Sequence, residues 1–315
     1  MKKKFITGKK LLIFSVISRS LVLLLLCLLA MWTEYLNLKV GYNNARLVEL
    51  SAGSDRPIYG KLLRQFYESS DAFFSFFGDP IQVMQSNGGM TWSIRLMGVP
   101  FSDPVAGMAL IARNHTLPLS FGLGLIIPLT IVLLFGRVFC SYICPASLVF
   151  FIAARIRRYL GKFFIFPEFN TSPALAWGIL CGGLLCSTLF GYGIWTLILP
   201  YFAIGQTIFH GLAFGTLSVT IISLAFFLTF DLILGQQFTC RNLCPTGRLL
   251  GFLGQKSKVI IKRDASQCVD SCHSCTQICP LKVDPKKDET RDCSLCGECL
   301  SVCPSKCLSV GIRKK

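Results

Sequence analysis

The chain has 315 residues, 52% hydrophobic and 15% charged, with a positive mean hydropathy of +0.58, whereas soluble domains carry about 25% charged residues. That balance excludes an ordinary soluble domain and points to a membrane protein. The formal net charge of +16 would suit nucleic acid, but the basic residues flank apolar runs, as cytoplasmic-side retention signals do, and no nucleic-acid motif is present.

In chain order, Met1-Lys-Lys-Lys and Lys9-Lys10 precede an apolar run from about Leu11 to Trp32, long enough to cross a ~30 Å hydrocarbon core at ~1.5 Å per residue. This predicts a retained first span, because Met31-Trp32-Thr33-Glu34 lacks the small residues of a signal cleavage site. Arg19 within it is expected to snorkel toward the cytoplasmic headgroups. Residues 35–117 mix charge with aromatics, including Phe73-Phe74-Ser75-Phe76-Phe77, and contain no spanning run. They read as an external region associated with the membrane surface. Inside it, Asp103-Pro104 opens a short helix that ends near His115, with Asp as N-cap and Pro at the first helical position.

Further apolar runs cover about Leu117 to Phe135, Pro173 to Leu199 and Leu212 to Leu234, which makes four spans and returns the C-terminus to the side of the N-terminus. Basic residues at Arg155, Arg157, Arg158 and Lys162, and again from Arg241 to Arg263, mark that side as cytoplasmic. The runs also contain a repeat. Pro104, His115, a span, Gly136, Cys140 and Cys144-Pro145 are matched by Pro200, His210, a span, Gly235, Cys240 and Cys244-Pro245. Each half is a helix pair ending in C-x3-C-P, and the repeat brings both motifs to the same membrane face.

The C-terminal stretch carries the strongest signal. It runs Cys268-Val-Asp-Ser-Cys272-His-Ser-Cys275-Thr-Gln-Ile-Cys279-Pro280, then after a spacer Cys293-Ser-Leu-Cys296-Gly-Glu-Cys299-Leu-Ser-Val-Cys303-Pro304. The second block is C-x2-C-x2-C-x3-C-P, the spacing that holds [4Fe-4S] clusters, and the first has one extra residue after Cys268. In two-cluster ferredoxins the fourth cysteine ligates the other cluster. The ligand sets therefore cross: Cys268, Cys272, Cys275 and Cys303 for one cluster, Cys293, Cys296, Cys299 and Cys279 for the other. Zinc would need four thiolates but not the C-x3-C-P ending. Clusters require reduced thiolates, so this part belongs in a reducing compartment. Cys307 lies outside the pattern and reads as a spare packed thiol.

Cys140, Cys144, Cys240 and Cys244 together offer four thiolates, enough for a third iron-sulfur centre; a dithiol switch and a purely structural turn are the alternatives. His115 and His210 are candidates for taking protons from a quinol, and Asp231 for carrying a proton. Two lone histidines are weak grounds for haem, and none is expected.

Gly136-Arg-Val-Phe-Cys140-x3-Cys144-Pro145, Asp103-Pro104, Phe230-Asp231-Leu232, Cys240-x3-Cys244-Pro245-x-Gly247 and the tandem cluster motifs resemble the NapH/MauN family of ferredoxin-type membrane proteins, related to the membrane part of the NosR polyferredoxins. The resemblance runs from about residue 100 to the C-terminus. It implies a quinol dehydrogenase component of the bacterial cytoplasmic membrane, passing electrons between the quinone pool and a respiratory or periplasmic partner through ferredoxin-like or cytochrome subunits. The expected fold is an all-α polytopic bundle of four transmembrane helices with a C-terminal α+β ferredoxin-like 2x[4Fe-4S] domain. Its parts are residues 1–34 (N-terminus and first span), 35–117 (external region), 118–263 (spans two to four with both C-x3-C-P motifs) and 264–315 (cytoplasmic ferredoxin-type domain). The alternative function is a maturation factor that supplies electrons, or reduces thiols or metal, for a periplasmic metalloenzyme.

Overall fold

The computed structural model describes residues 8–41, 57–164, 174–214, 219–269, 271–287 and 292–313, with the isolated positions 167, 169, 172 and 216; the basic start at Met1 to Lys4 lies outside them. Helix α1 (Gly8–Gly41) is followed by α2 (Pro57–Ser75) and α3 (Pro80–Gln85). A three-stranded antiparallel sheet comes next, β1 (Gly88–Met90), β2 (Ser93–Leu96) and β3 (Val99–Ser102). The bundle continues with α4 (Pro104–Asn114), α5 (Leu119–Phe135), α6 (Val138–Tyr142) and α7 (Pro145–Leu160). Then come α8 (Ala174–Phe190), α9 (Trp195–Ile198), α10 (Pro200–Phe214), α11 (Thr220–Ile233), a π-helical turn (Thr239–Leu243) and α12 (Pro245–Leu253). Strand β4 (Val259–Arg263), α13 (Ser274–Ile278), α14 (Glu298–Val302) and β5 (Leu308–Ile312) complete the chain.

Among the described residues one helix, Gly8–Thr33, is long and apolar enough to cross a membrane; Leu119–Phe135, Ala174–Phe190 and Thr220–Ile233 are shorter apolar helices at the places expected for further spans. Each of these helices turns large apolar side chains outward, such as Phe14 and Leu21, Leu123 and Ile126, Leu185 and Leu189, and Ile222 and Phe226. Leu180 of α8 and Phe227 of α11 share one core with Val105, Phe150, Trp195, Leu199 and Tyr201 from the neighbouring segments.

The stretch expected as a membrane-surface region contains a segment that enters this bundle. Strand β3 lies along α5, with Ser102 where a Cβ on Gly124 would sit. Trp92, at the turn between β1 and β2, stacks on Phe202 at 4.8 Å and meets Tyr192 edge-on at 6.0 Å. Asp103 then caps α4, accepting from the Val105 and Ala106 amides, which in general stabilises a helix by ~1 kcal/mol. The corresponding element of the second half is a sharp break: the 192–198 and 200–212 helices meet at 103° around Pro200.

At the two C-x3-C-P motifs the halves share their local geometry. Cys144 and Cys244 each precede a proline that opens a helix, with φ/ψ of −66°/117° and −70°/110°. Their amides donate to Phe139 O and Thr239 O, both at 2.8 Å and both five residues back. Gly136, at the end of α5 with φ +74°, approaches so near Gly254 that no Cβ fits between them. This close approach seats α12 beside the first motif.

Strands β4 and β5 pair antiparallel, Val259 opposite Ile312 through Arg263 opposite Leu308. With α13 and α14 they enclose a small core of Ile261, Cys275, Leu295, Cys299, Cys307 and Leu308. The module docks on the bundle through polar side chains: Ser141 Oγ donates to Ser294 Oγ at 2.6 Å and Tyr142 OH to Leu295 O at 2.9 Å. From α1, Ser15 and Ser18 donate to the carbonyls of the same Ser141 and Tyr142. The first C-x3-C turn is thus clamped between α1 and the module.

Candidate metal centres

Two cysteine-lined hollows lie in the C-terminal module. The inner one is walled by Cys279, Cys293, Cys296 and Cys299 with Ile261, Leu281, Val283 and Leu295. The outer one is walled by Cys268, Cys272, Cys275, Cys303 and Cys307 with Val269, Lys286 and Pro304. Each hollow combines cysteines from both blocks in the crossed arrangement, because α13 and α14 pack together and send Cys279 and Cys303 to opposite sides. Among the described residues no three His, Cys, Asp or Glu side chains gather tightly enough for a single metal ion. Thiols around a hollow fit a cage-sized cluster better than one zinc ion.

The hollows differ in electrostatics. Most inner walls are buried, whereas Val269 and Pro304 leave the outer one open to solvent. Burial pushes the Cys293 and Cys296 thiols up to about 12. Cys272, by contrast, sits below the usual thiol range, because the Ser274 hydroxyl and amide favour its thiolate.

The C-x3-C-P cysteines form the third group. They interact electrostatically: Cys144 feels Cys140 and Cys244, and Cys240 feels the other three. Burial, then the charge of Cys140, raises the Cys244 thiol to about 12, opposed by the Gly247 amide and by Arg137. Arg137 is 2% exposed. It donates to Cys240 O at 3.0 Å, reaches Asp292 at 3.6 Å and hydrogen-bonds Cys140, while among the described residues its Nε has no partner. A buried guanidinium with an unused donor beside four thiols fits an anionic occupant. A third hollow adjoins this group, walled by Cys140, Cys240, Arg19, Glu298 and Cys296. Pro280, Leu281, Ser294 and Cys296 line both it and the inner hollow.

Several residues have other surroundings than their sequence suggested. Arg19 does not snorkel: it is 3% exposed, bonded to Ser15 and Ser147 and stacked over Phe151 at 4.8 Å. Serine hydroxyls and carbonyls inside the bundle satisfy it without headgroups. Asp231 is buried too, its Oδ1 accepting the Thr239 amide at 2.7 Å, so it anchors the turn that carries Cys240. His115 ends α4 in a left-handed conformation and is exposed, while His210 lies on α10 against Phe209. Cys307 is not merely packed, since it shares the outer hollow. Sequence reading missed Asp103 beyond its capping role. Tyr201 OH donates to Asp103 Oδ2 at 3.0 Å and contacts the Thr246 hydroxyl at 3.1 Å, which links the N-terminal ends of α4, α10 and α12 beside Cys244.

A helical bundle joined to a module with paired cysteine hollows has the architecture of a ferredoxin-type iron-sulfur protein. A family model described as a 4Fe-4S binding domain matches the chain twice, at residues 117–162 and 215–264, so each match contains one C-x3-C-P half. The chain is 35% identical over 196 residues to the ferredoxin-type protein NapH of Haemophilus influenzae and 30% identical over 196 residues to NapH of Escherichia coli. These alignments cover 61% and 62% of the chain, and 65% of the length of each relative. The methylamine utilization ferredoxin-type protein MauN of Methylorubrum extorquens is 29% identical over 220 residues, 60% of the chain and 74% of the relative. No solved structure matches. Over about 60% of its length the chain is similar to these NapH and MauN ferredoxin-type proteins.

Proposed function

We propose that the chain exchanges electrons between membrane quinol and a redox partner through three iron-sulfur sites: the C-x3-C-P group, the inner hollow and the outer hollow. Iron-sulfur clusters bound there supply one-electron chemistry. The observation that carries the reading is the wall of Pro280, Leu281, Ser294 and Cys296 shared by the hollow at Cys140 and Cys240 and the inner cysteine hollow. Thiolates at Cys140, Cys144, Cys240 and Cys244 would hold the first site, with Arg137 balancing their charge. The crossed sets Cys279/Cys293/Cys296/Cys299 and Cys268/Cys272/Cys275/Cys303 would hold the other two.

The same reading has four spans in the membrane, both termini cytoplasmic, and the quinol site near the C-x3-C-P group rather than at His115 and His210. The outward apolar faces of α1, α5, α8 and α11 support membrane embedding. Asp103 would take up a proton there, with Tyr201 and Thr246 orienting its carboxylate. The alternative of a thiol-exchanging maturation factor needs cysteines open to a partner protein, whereas Cys140 and Cys240 face a hollow walled by the docked module.

The test is reduction of the purified protein in lipid nanodiscs by a short-chain quinol, followed by electron paramagnetic resonance. Wild type should show reduced-cluster signals and Cys144→Ala/Cys244→Ala should not, while both respond to dithionite. Equal quinol reduction in the two proteins overturns the path.

A further inference from the structure

We infer that Cys307 is a reserve ligand of the outer site, able to replace Cys303; the inference rests on the reading that this hollow holds a [4Fe-4S] cluster. Five thiols line the hollow, and a cluster of this type uses four. Cys307 Sγ lies 3.6 Å from Cys303 Sγ, within sulfur hydrogen-bonding reach, and its thiol also bonds Cys268. It is 4% exposed in a small core whose other members are largely apolar. A thiol serving only to fill space would have no reason to face the ligand sulfurs.

Its position comes from the scaffold and not from the loop of cysteines. After Cys303-Pro304 the chain turns through Lys306, at φ +52°, and Cys307 O accepts the Asp264 amide at 2.8 Å. The next residue, Leu308, already pairs with Arg263 in the β4–β5 sheet. Cys307 is therefore held in place even if the Cys303-Pro304 turn shifts.

The exchange balances without any redox step. The Cys307 thiol gives its proton to the Cys303 sulfur across their hydrogen bond as the Fe–S bond to Cys303 breaks and one to Cys307 forms. Charge, oxidation state and total protons at the site stay constant. Exposed Pro304 beside Cys303 opens that side of the hollow to solvent, as exposed Val269 does beside Cys268, and a buried substitute on the Cys303 side preserves the cluster when that ligand is lost.

The experiment counts iron and acid-labile sulfide, and records electron paramagnetic resonance, on full-length protein purified anaerobically as wild type, Cys272→Ala, Cys303→Ala, Cys307→Ala and Cys303→Ala/Cys307→Ala. Cys272→Ala should lose ~4 iron. Cys303→Ala should keep its iron with an altered signal from the outer site, and the double variant should lose ~4 iron. Retention of the inner-site signal shows that each variant is folded. If Cys303→Ala loses as much iron as the double variant, or the double variant loses none, the reserve role is wrong. If Cys272→Ala itself loses no iron, the failure lies in the cluster reading and not in the role of Cys307.

Discussion

Arg137→Gln is the substitution whose outcome separates a charged redox site from a packed turn. The guanidinium is buried, donates to Cys240 O at 3.0 Å and pairs with Asp292 at 3.6 Å. Breaking a buried ion pair commonly costs ~3–5 kcal/mol. Here Asp292 is 37% exposed and keeps Arg248 at 3.3 Å, and Gln retains one donor, so the loss of stability should be only ~1–2 kcal/mol. The electrostatic consequence is larger. A unit charge ~5 Å away at an effective dielectric of ~20 contributes ~3 kcal/mol, or ~130 mV for a one-electron couple. Asp292 is present in both proteins, so its charge cancels from the comparison and the expected shift stays ~130 mV. Removing the positive charge disfavours reduction, so the midpoint of the site at Cys140 to Cys244 should fall by that amount. A redox titration followed by electron paramagnetic resonance in nanodiscs measures it, with Arg248→Gln, half-exposed on the far side of Asp292, as a control that should move little. A shift below ~20 mV in Arg137→Gln with full iron content would refute the placement of a charged centre against Arg137.

Three other outcomes follow from the same geometry. Cys279→Ala should remove the cluster signal of Cys293, Cys296 and Cys299 and spare that of its sequence neighbours Cys268, Cys272 and Cys275; the opposite loss would mean the ligands do not cross. Asp103→Asn keeps an N-capping oxygen, so thermal unfolding should be nearly unchanged while quinol-driven reduction slows by roughly 100-fold; an unchanged stopped-flow rate would return Asp103 to a purely capping role. Burial holds the thiols of Cys244, Cys293 and Cys296 up near 12, so metal loading must expel their protons. Reconstitution of iron-stripped protein with iron and sulfide should therefore weaken as pH falls from about 8 to about 6, and a flat profile measured by sulfide content would contradict protonated empty sites.

Spacing made the ferredoxin module legible, because cysteine ligands at two- and three-residue intervals are a local property of the chain. Asp103 as N-cap and Pro104 at the first position of α4 were legible for the same reason. The repeat was readable as matching Pro, Gly and Cys positions, and its geometry survives even to the paired amide bonds of Cys144 and Cys244. What sequence could not show depends on distant partners. Arg19 looked like a snorkelling residue because Ser147 and Phe151 become its surroundings only when α1 packs on α7. Asp103 acquires Tyr201 and Thr246 across 98 and 143 positions of chain, the latter through Tyr201. Cys307 read as spare because the sheet pairing that turns it toward Cys303 is a tertiary property.

The central claim is that this chain holds three iron-sulfur sites, one of them built from the two C-x3-C-P motifs. Iron and acid-labile sulfide per chain, on anaerobically purified wild type and Cys144→Ala/Cys244→Ala, test it most directly. The account predicts ~12 iron and ~12 sulfide in wild type, and ~8 of each in the double variant with the two ferredoxin-type signals intact. About 8 of each in both proteins would contradict it and leave Cys140, Cys144, Cys240 and Cys244 as structural turns.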